Sequence, residues 1–285
     1  MMVVDAQVHI WSPDTPDRPW PSSGRSQPHR PQPFSADELL KEMDAAGVAR
    51  VVIVPPSWEG DRNDLALEAA RQHPHRFAVM GRLALERPES RDLLPGWRRQ
   101  PGMLGLRFTF GSALQRPWLT DGTADWLWPA AERAGLPVML SVPGSLPHVD
   151  RIAERHPGLR LVIDHLGLGP GRKDDAAFEH LPDLLKLANR PQVAVKASAL
   201  PCYSSEPYPY HGLHPHIRRV FDAFGPRRMF WGTDLTRLPC SYRQAITVFT
   251  EELPWLSASE QAWIMGRAAG EWLGWPLEDL RLKRP

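Results

Sequence analysis

Eight short apolar runs, each followed by a segment of helical periodicity, constrain this chain more than any other feature of its sequence. The runs are 2–8, 50–54, 77–81, 104–108, 137–142, 160–164, 192–197 and 228–232. Their near-continuous apolarity suits parallel strands buried on both faces. The first helix is announced by Ser35-Ala36-Asp37-Glu38, a capping box, followed by Leu39, Leu40, Met43 and Ala46 at helical spacing and ended by Gly47. Helical segments 63–72, 89–99, 123–134, 145–156, 177–189, 215–224 and 241–252 follow, several ending in Gly or Pro. Eight βα units in one rhythm predict a single (β/α)8 TIM barrel over residues 1–285, with 257–273 as an extra C-terminal helix. A doubly wound open sheet is the competing arrangement, and the regularity of the units favours closure.

Composition narrows the function. A length of 285 residues fits one barrel, which typically takes about 250. The formal net charge is +1 and no Lys/Arg run occurs, which argues against a nucleic-acid partner. No stretch approaches the ~20 apolar residues that span a bilayer, and the N-terminus does not read as a signal peptide. These features predict a cytoplasmic enzyme of small molecules with no membrane partner. Cys202 and Cys240 make no disulfide framework, and ordinary packing is the expected role of both. Trp255, Trp263, Trp272 and Trp275 either pack the final helix or form the face of a homodimer. The loop 12–34 holds seven of the 31 prolines and is long for a βα connection, which marks it as a lid or an active-site wall.

Barrel enzymes place their chemistry at the C-terminal ends of the strands. That rule selects Gln7 and His9 after strand 1, Ser57 after strand 2, Arg107 on strand 4 and Ser141 on strand 5. Asp164 and His165 follow strand 6, Lys196 and Ser198 lie on strand 7, and Asp234 follows strand 8. Strand 8 closes against strand 1, so Asp234 and His9 are expected as neighbours. Period-two geometry puts Gln7 and His9 on one side of their strand. His165 by itself reads equally as a hydrogen-bonded core residue, and Lys196 as the partner of an interior carboxylate. All four tyrosines, 203, 208, 210 and 242, follow strands 7 and 8. Three of them share a loop with His211, His214 and His216, which reads either as a substrate wall or as a solvated loop. A metal site from those three histidines is opposed by Pro215 between two of them.

Asp5-Ala6-Gln7-Val8-His9-Ile10-Trp11, Gly105-Leu106-Arg107-Phe108, Leu161-Val162-Ile163-Asp164-His165-Leu166-Gly167 and Phe230-Trp231-Gly232-Thr233-Asp234 together resemble the amidohydrolase superfamily. Within it the chain is similar to the amidohydrolase-related branch that includes sugar lactonases such as L-fuconolactonase and the 2-pyrone-4,6-dicarboxylate lactonase. The resemblance implies a metal set of two histidines on strand 1, often a third on strand 5, one on strand 6 and an aspartate on strand 8. Here Gln7 and Ser141 replace two of those histidines, leaving His9, His165 and Asp234. The lactonase branch includes members thought to work without metal, so no cofactor is expected to be required. The alternative is one zinc or manganese ion on His9, His165 and Asp234.

The expected reaction is hydrolysis of a small, carboxylated cyclic ester. Asp234 would activate water, while His9, His165 and the Gln7 amide would stabilise the developing oxyanion. Arg107 would hold a substrate carboxylate by its planar fork, with Ser57, Ser141, Tyr203 and Arg237 as further substrate contacts. Metal-dependent hydrolysis or non-oxidative decarboxylation is the alternative chemistry, and a barrel that only binds a ligand is the third.

Overall fold

The computed structural model describes residues 1–21 and 27–277. Eight parallel strands form a nearly closed barrel in sequence order: β1 (Val4–Val8), β2 (Arg50–Ile53), β3 (Phe77–Gly81), β4 (Met103–Thr109), β5 (Val138–Ser141), β6 (Leu161–Ile163), β7 (Val193–Ser198) and β8 (Met229–Gly232). The ladders run from β1–β2 to β7–β8. The β8–β1 seam is joined at its upper end, where the Asp234 N–H donates to the Gln7 carbonyl at 2.7 Å. Gly232 permits that approach, because a Cβ there would lie 3.2 Å from both Asp5 Oδ1 and the Gln7 nitrogen.

Helices surround the strands as the periodicity predicts, beginning with Ala36–Ala46 behind its Ser35–Glu38 capping box. Two connections differ. Residues Pro88–Arg99 form 3₁₀ turns, since Pro95 inside the segment removes a donor that a regular helix would need. The predicted 177–189 helix divides into Asp174–Ala177, Leu181–Lys186 and a short 3₁₀ turn.

Two apolar clusters follow from the strand alternation. The larger lies between the strands and the surrounding helices. The smaller fills the barrel and includes Val4, Ala6, Ala78, Met80, Met139 and Phe230. The expected C-terminal helix is present as Ala258–Leu273, with a π-helical turn at Trp263–Arg267. Its Ala268, Ala269 and Leu273, with Trp275, join the inner cluster and plug the N-terminal end of the barrel. Trp263 and Trp272 pack against the same plug. No helix among the described residues is long and apolar enough to cross a membrane.

Candidate active site

The opposite end of the barrel is lined by buried polar groups, and irregularities in two strands put them there. On β1 the register shifts between Asp5 and Val8. Val4 and Ala6 belong to the inner cluster, whereas Val8 and Ile10 belong to the outer one. The apolar alternation of 4, 6, 8 and 10 is therefore not one face. Gln7 and His9 do share a side, as their spacing predicts. On β4 the register shifts where Met103 and Gly105 face β3, so Leu104 points inward, Leu106 and Phe108 outward, and Arg107 into the mouth.

Backbone strain completes the placement. His165, Ala199 and Asp234, which follow β6, β7 and β8, sit at φ of 52°, 58° and 56°. Each such non-glycine residue costs about 1–3 kcal/mol and persists only where the surroundings impose it. Behind the seam, the fully buried Asp5 carboxylate accepts from the Gln7 and Thr233 backbone N–H groups at 3.0 and 2.9 Å. It also accepts from the Thr233 hydroxyl and, at 2.8 Å, from Tyr242 OH. Asp5 thus ties the segment carrying Gln7 to the segment carrying Asp234.

A ring of hydrogen bonds and ion pairs runs around the mouth. Asp164 accepts from Arg107 Nε at 3.0 Å and pairs with Lys196 Nζ at 2.7 Å. Lys196, the expected partner of an interior carboxylate, also donates to Gln7 Oε1. That bond fixes the Gln7 amide, whose Nε2 lies 3.3 Å from His9 Nε2. His9 Nδ1 donates to the Val54 carbonyl at 2.5 Å, which leaves the Nε2 lone pair of a neutral ring facing Asp234 Oδ1 at 3.3 Å. On the other side Asp234 Oδ2 is 3.8 Å from His165 Nε2 and accepts from Arg237 Nη1 at 3.2 Å. Ser198 Oγ holds His165 Nδ1 at 2.8 Å.

These environments set the charges. Burial lowers the pKa of His9 to about 3 and of His165 to about 4, although the Asp234 carboxylate opposes both shifts. Burial would raise the Asp234 pKa, but the imidazoles of His9, His29 and His165 and the Arg237 guanidinium hold it well below the usual carboxylate range. The site is therefore one ionised carboxylate surrounded by neutral imidazoles.

His29 is the residue that sequence reasoning missed. It belongs to the 12–34 loop, whose length alone marks it as functional. Its Nδ1 lies 2.8 Å from Thr236 Oγ1 and 3.9 Å from Asp234 Oδ1, and its ring meets Trp58 edge-on at 4.9 Å. Asp234 Oδ1 is buried and has no hydrogen-bond partner among the described residues. The donor atoms of His9, His29 and Asp234 all lie within 4.8 Å of one another. Two lone pairs facing at hydrogen-bonding distance call for a proton donor or a cation between them. The donor set fits one divalent ion, since two imidazoles and a carboxylate leave a fourth position open. The tight group thus contains His29 where the sequence suggested His165, which stands on the other carboxylate oxygen.

The remaining candidates divide. Tyr203 is buried and lies against Arg237, whose guanidinium carbon is 5.8 Å from the ring centre, so both border Asp234. Ser57 is buried in the turn that also carries Trp58, whose ring is 5.5 Å from His9. Ser141 closes β5, and its carbonyl accepts from Phe110. Arg107 spends Nε on Asp164 and Nη1 on Thr109 Oγ1, so half of the expected carboxylate fork is already engaged. Arg82, which the sequence did not single out, is buried beside it and donates to the same Thr109 hydroxyl at 2.9 Å.

The other tyrosines do not build a wall. Tyr208 bonds Thr247 and Glu252, Tyr210 is buried, and Tyr242 serves Asp5. His211 and His214 pair with each other while His216 stacks on Phe178 and bonds Asp175, so these three do not form a ligand group. Cys202 and Cys240 are free.

A parallel eight-stranded barrel with histidines and an ionised aspartate gathered at its mouth is the arrangement of a barrel enzyme. The chain belongs to the Amidohydrolase family, whose model matches residues 4–275. It is 28% identical over 235 residues to an L-fucono-1,5-lactonase of Burkholderia ambifaria, covering 81% of this chain and 79% of that protein. It is 27% identical over 240 residues to a 4-sulfomuconolactone hydrolase of Hydrogenophaga intermedia, covering 81% and 73%. Among solved structures, an amidohydrolase from Burkholderia multivorans with bound zinc superposes with a TM-score of 0.80 at 23% identity, covering 97% of this chain and all of that one. This chain is accordingly a hydrolase.

Proposed function

We propose that the protein hydrolyses a small lactone bearing an anionic group, with Asp234 as the general base. One observation carries this reading: Asp234 Oδ1 is an ionised, buried acceptor with no hydrogen-bond partner among the described residues, and it faces imidazoles rather than cationic side chains. A water placed there donates one hydrogen to Oδ1. Its oxygen attacks the lactone carbonyl carbon as Asp234 takes the proton. Charge developing on the carbonyl oxygen is met by the mouth's N–H donors, with the Gln7 amide and His165 best placed. When the ring C–O bond breaks, Asp234 returns the proton to the departing alkoxide, and a hydroxy acid is released.

A divalent cation held by His9, His29 and Asp234 would polarise the carbonyl and lower the pKa of a bound water. The lactone-directed names of the two curated relatives support the substrate class. The anionic group is supported by charge. Three cationic side chains, Lys196, Arg107 and Arg237, are set against two carboxylates, Asp164 and Asp234, in the ring of contacts described above. Arg107 Nη2 and the Arg237–Tyr203 wall are the surfaces left to receive it.

A panel of neutral and carboxylated lactones, followed by proton release at constant pH, tests the reading. Turnover is expected with at least one anionic lactone. Asp234→Asn should lose about 10²–10⁴-fold in kcat/KM, the usual worth of a positioned base. An Asp234→Asn variant with full turnover overturns the assignment.

A further inference from the structure

Lys196 is fully buried on β7, beneath the mouth. Its ammonium pairs with Asp164 Oδ1 at 2.7 Å, donates to Gln7 Oε1, lies 3.5 Å from the Ala6 carbonyl oxygen and 3.2 Å from Met139 Sδ. Four electron-rich atoms from β1, β5 and the end of β6 around one nitrogen make the shell of a small cation, here filled by an ammonium. Burial acts to lower the Lys196 pKa, and the Asp164 carboxylate opposes it. With its N–H groups directed at acceptors, the side chain cannot lose its charge without leaving some of them unserved.

The consequence falls on Gln7. Its oxygen is turned down to Lys196 and its Nε2 is turned toward His9, so position 7 presents N–H to the mouth and no lone pair. A divalent ion within reach of position 7 would also stand against a positive charge in a buried site, where screening is weak. Two histidines at positions 7 and 9 could clamp a metal from one strand end, but here the lower corner already holds a cation.

We propose that Lys196 is a built-in cation that takes the place of a metal ion at the Gln7 corner and limits the mouth to one exchangeable divalent cation, at Asp234. It is a positioning residue for Gln7 and a determinant of metal stoichiometry. The proposal does not depend on which ester the enzyme cleaves.

Zinc uptake tests it. Chelator-stripped proteins are dialysed to equilibrium against buffered zinc, and bound zinc per chain is measured by elemental analysis, with circular dichroism as the check on folding. The wild type should take up no more than one equivalent, and Gln7→His alone should not exceed it, because the ammonium remains. Gln7→His with Lys196→Met should gain one further equivalent, whereas Gln7→His with Lys196→Arg, which keeps the charge, should not. If the Met variant fails to fold, Lys196→Gln in the same background keeps an uncharged polar group at this position and carries the same expectation. A second equivalent bound by the wild type or by Gln7→His alone overturns the proposal. So does a folded double variant lacking the Lys196 charge that gains no zinc.

Discussion

The two ends of this barrel use the same strands in contrasting ways. At the N-terminal end the side chains of Val4, Ala6, Phe230 and the plug residue Leu273 are wholly apolar, and their burial is favourable at about 25 cal/mol per Å² of apolar area. At the mouth, Asp164, Lys196, Arg107, Asp234 and His165 are nearly as deeply buried. There burial is costly for each charged group and tolerable only because each has a partner. The mouth also holds the positive-φ residues His165, Ala199 and Asp234, while none is recorded in the strands below. The apolar end supplies stability, and the mouth spends part of it to keep an ionised carboxylate among neutral imidazoles.

Substitution at each end should break that contrast in different ways. Asp234→Asn conserves side-chain volume and is expected to lower kcat/KM by about 10²–10⁴-fold, and the urea midpoint should fall as well, because Arg237 loses its carboxylate partner. Phe230→Ala removes a fully buried ring from the inner cluster and should cost about 3–5 kcal/mol in urea unfolding, with little change in kcat/KM for the molecules that remain folded. A folded Phe230→Ala protein without turnover would show that the two ends are not separable.

The sequence shows the apolar end well and the mouth only in part. Period-two and helical patterning place all eight strands, because buried parallel strands require continuous apolar runs. Gln7, His9, Arg107, Asp164, His165, Lys196 and Asp234 are legible because strand ends are where barrel chemistry lies. His29 is not, since a loop residue has no periodicity to locate it and nothing in its spacing announces its approach to Asp234. Asp5 is hidden for another reason. Alternation says that it points away from the barrel, and only the β8–β1 seam reveals that it holds Thr233 and Tyr242. Tyr208, Tyr210 and Tyr242 follow the same strands as Tyr203 but make their contacts elsewhere, because following the right strand does not make a side chain face the mouth.

The charge state of the mouth sharpens the contrast through pH. His9 and His165 have pKa values lowered by burial to about 3 and about 4. As pH falls below the ordinary histidine value of about 6.5, the unfolded chain binds these two protons and the native protein does not, so stability is lost. Asp5 works the other way. Burial raises it to about 6, against the pull of its hydrogen bonds, so between that pH and the ordinary carboxylate value the native state holds a proton that the unfolded chain has released. Two histidines against one carboxyl leave a net excess of one proton on the unfolded chain, and His29, also lowered by burial, adds to it. Unfolding free energy should therefore fall by at least about 1.4 kcal/mol per pH unit between pH 6 and 5. Stability that rises on acidification would show that the imidazoles are charged in the native mouth.

The smallest expected effects discriminate most finely between the ends. Ser257 and Ser241 each cap a helix through a capping box, with Glu260 and Gln244 as the reciprocal partners. Replacing either by Ala should cost about 1 kcal/mol. The Ser257 helix leads into the plug, so Ser257→Ala should lower the melting temperature and leave kcat/KM unchanged. The Ser241 helix begins at Tyr242, whose hydroxyl binds Asp5, and Asp5 in turn holds the backbone of Gln7 and Thr233. Ser241→Ala should therefore lower kcat/KM by a measurable factor at the same cost in stability. Equal, unchanged kinetics in the two variants would confine the Asp5 network to holding the seam together and leave the orientation of Asp234 to Arg237 and the imidazoles around it.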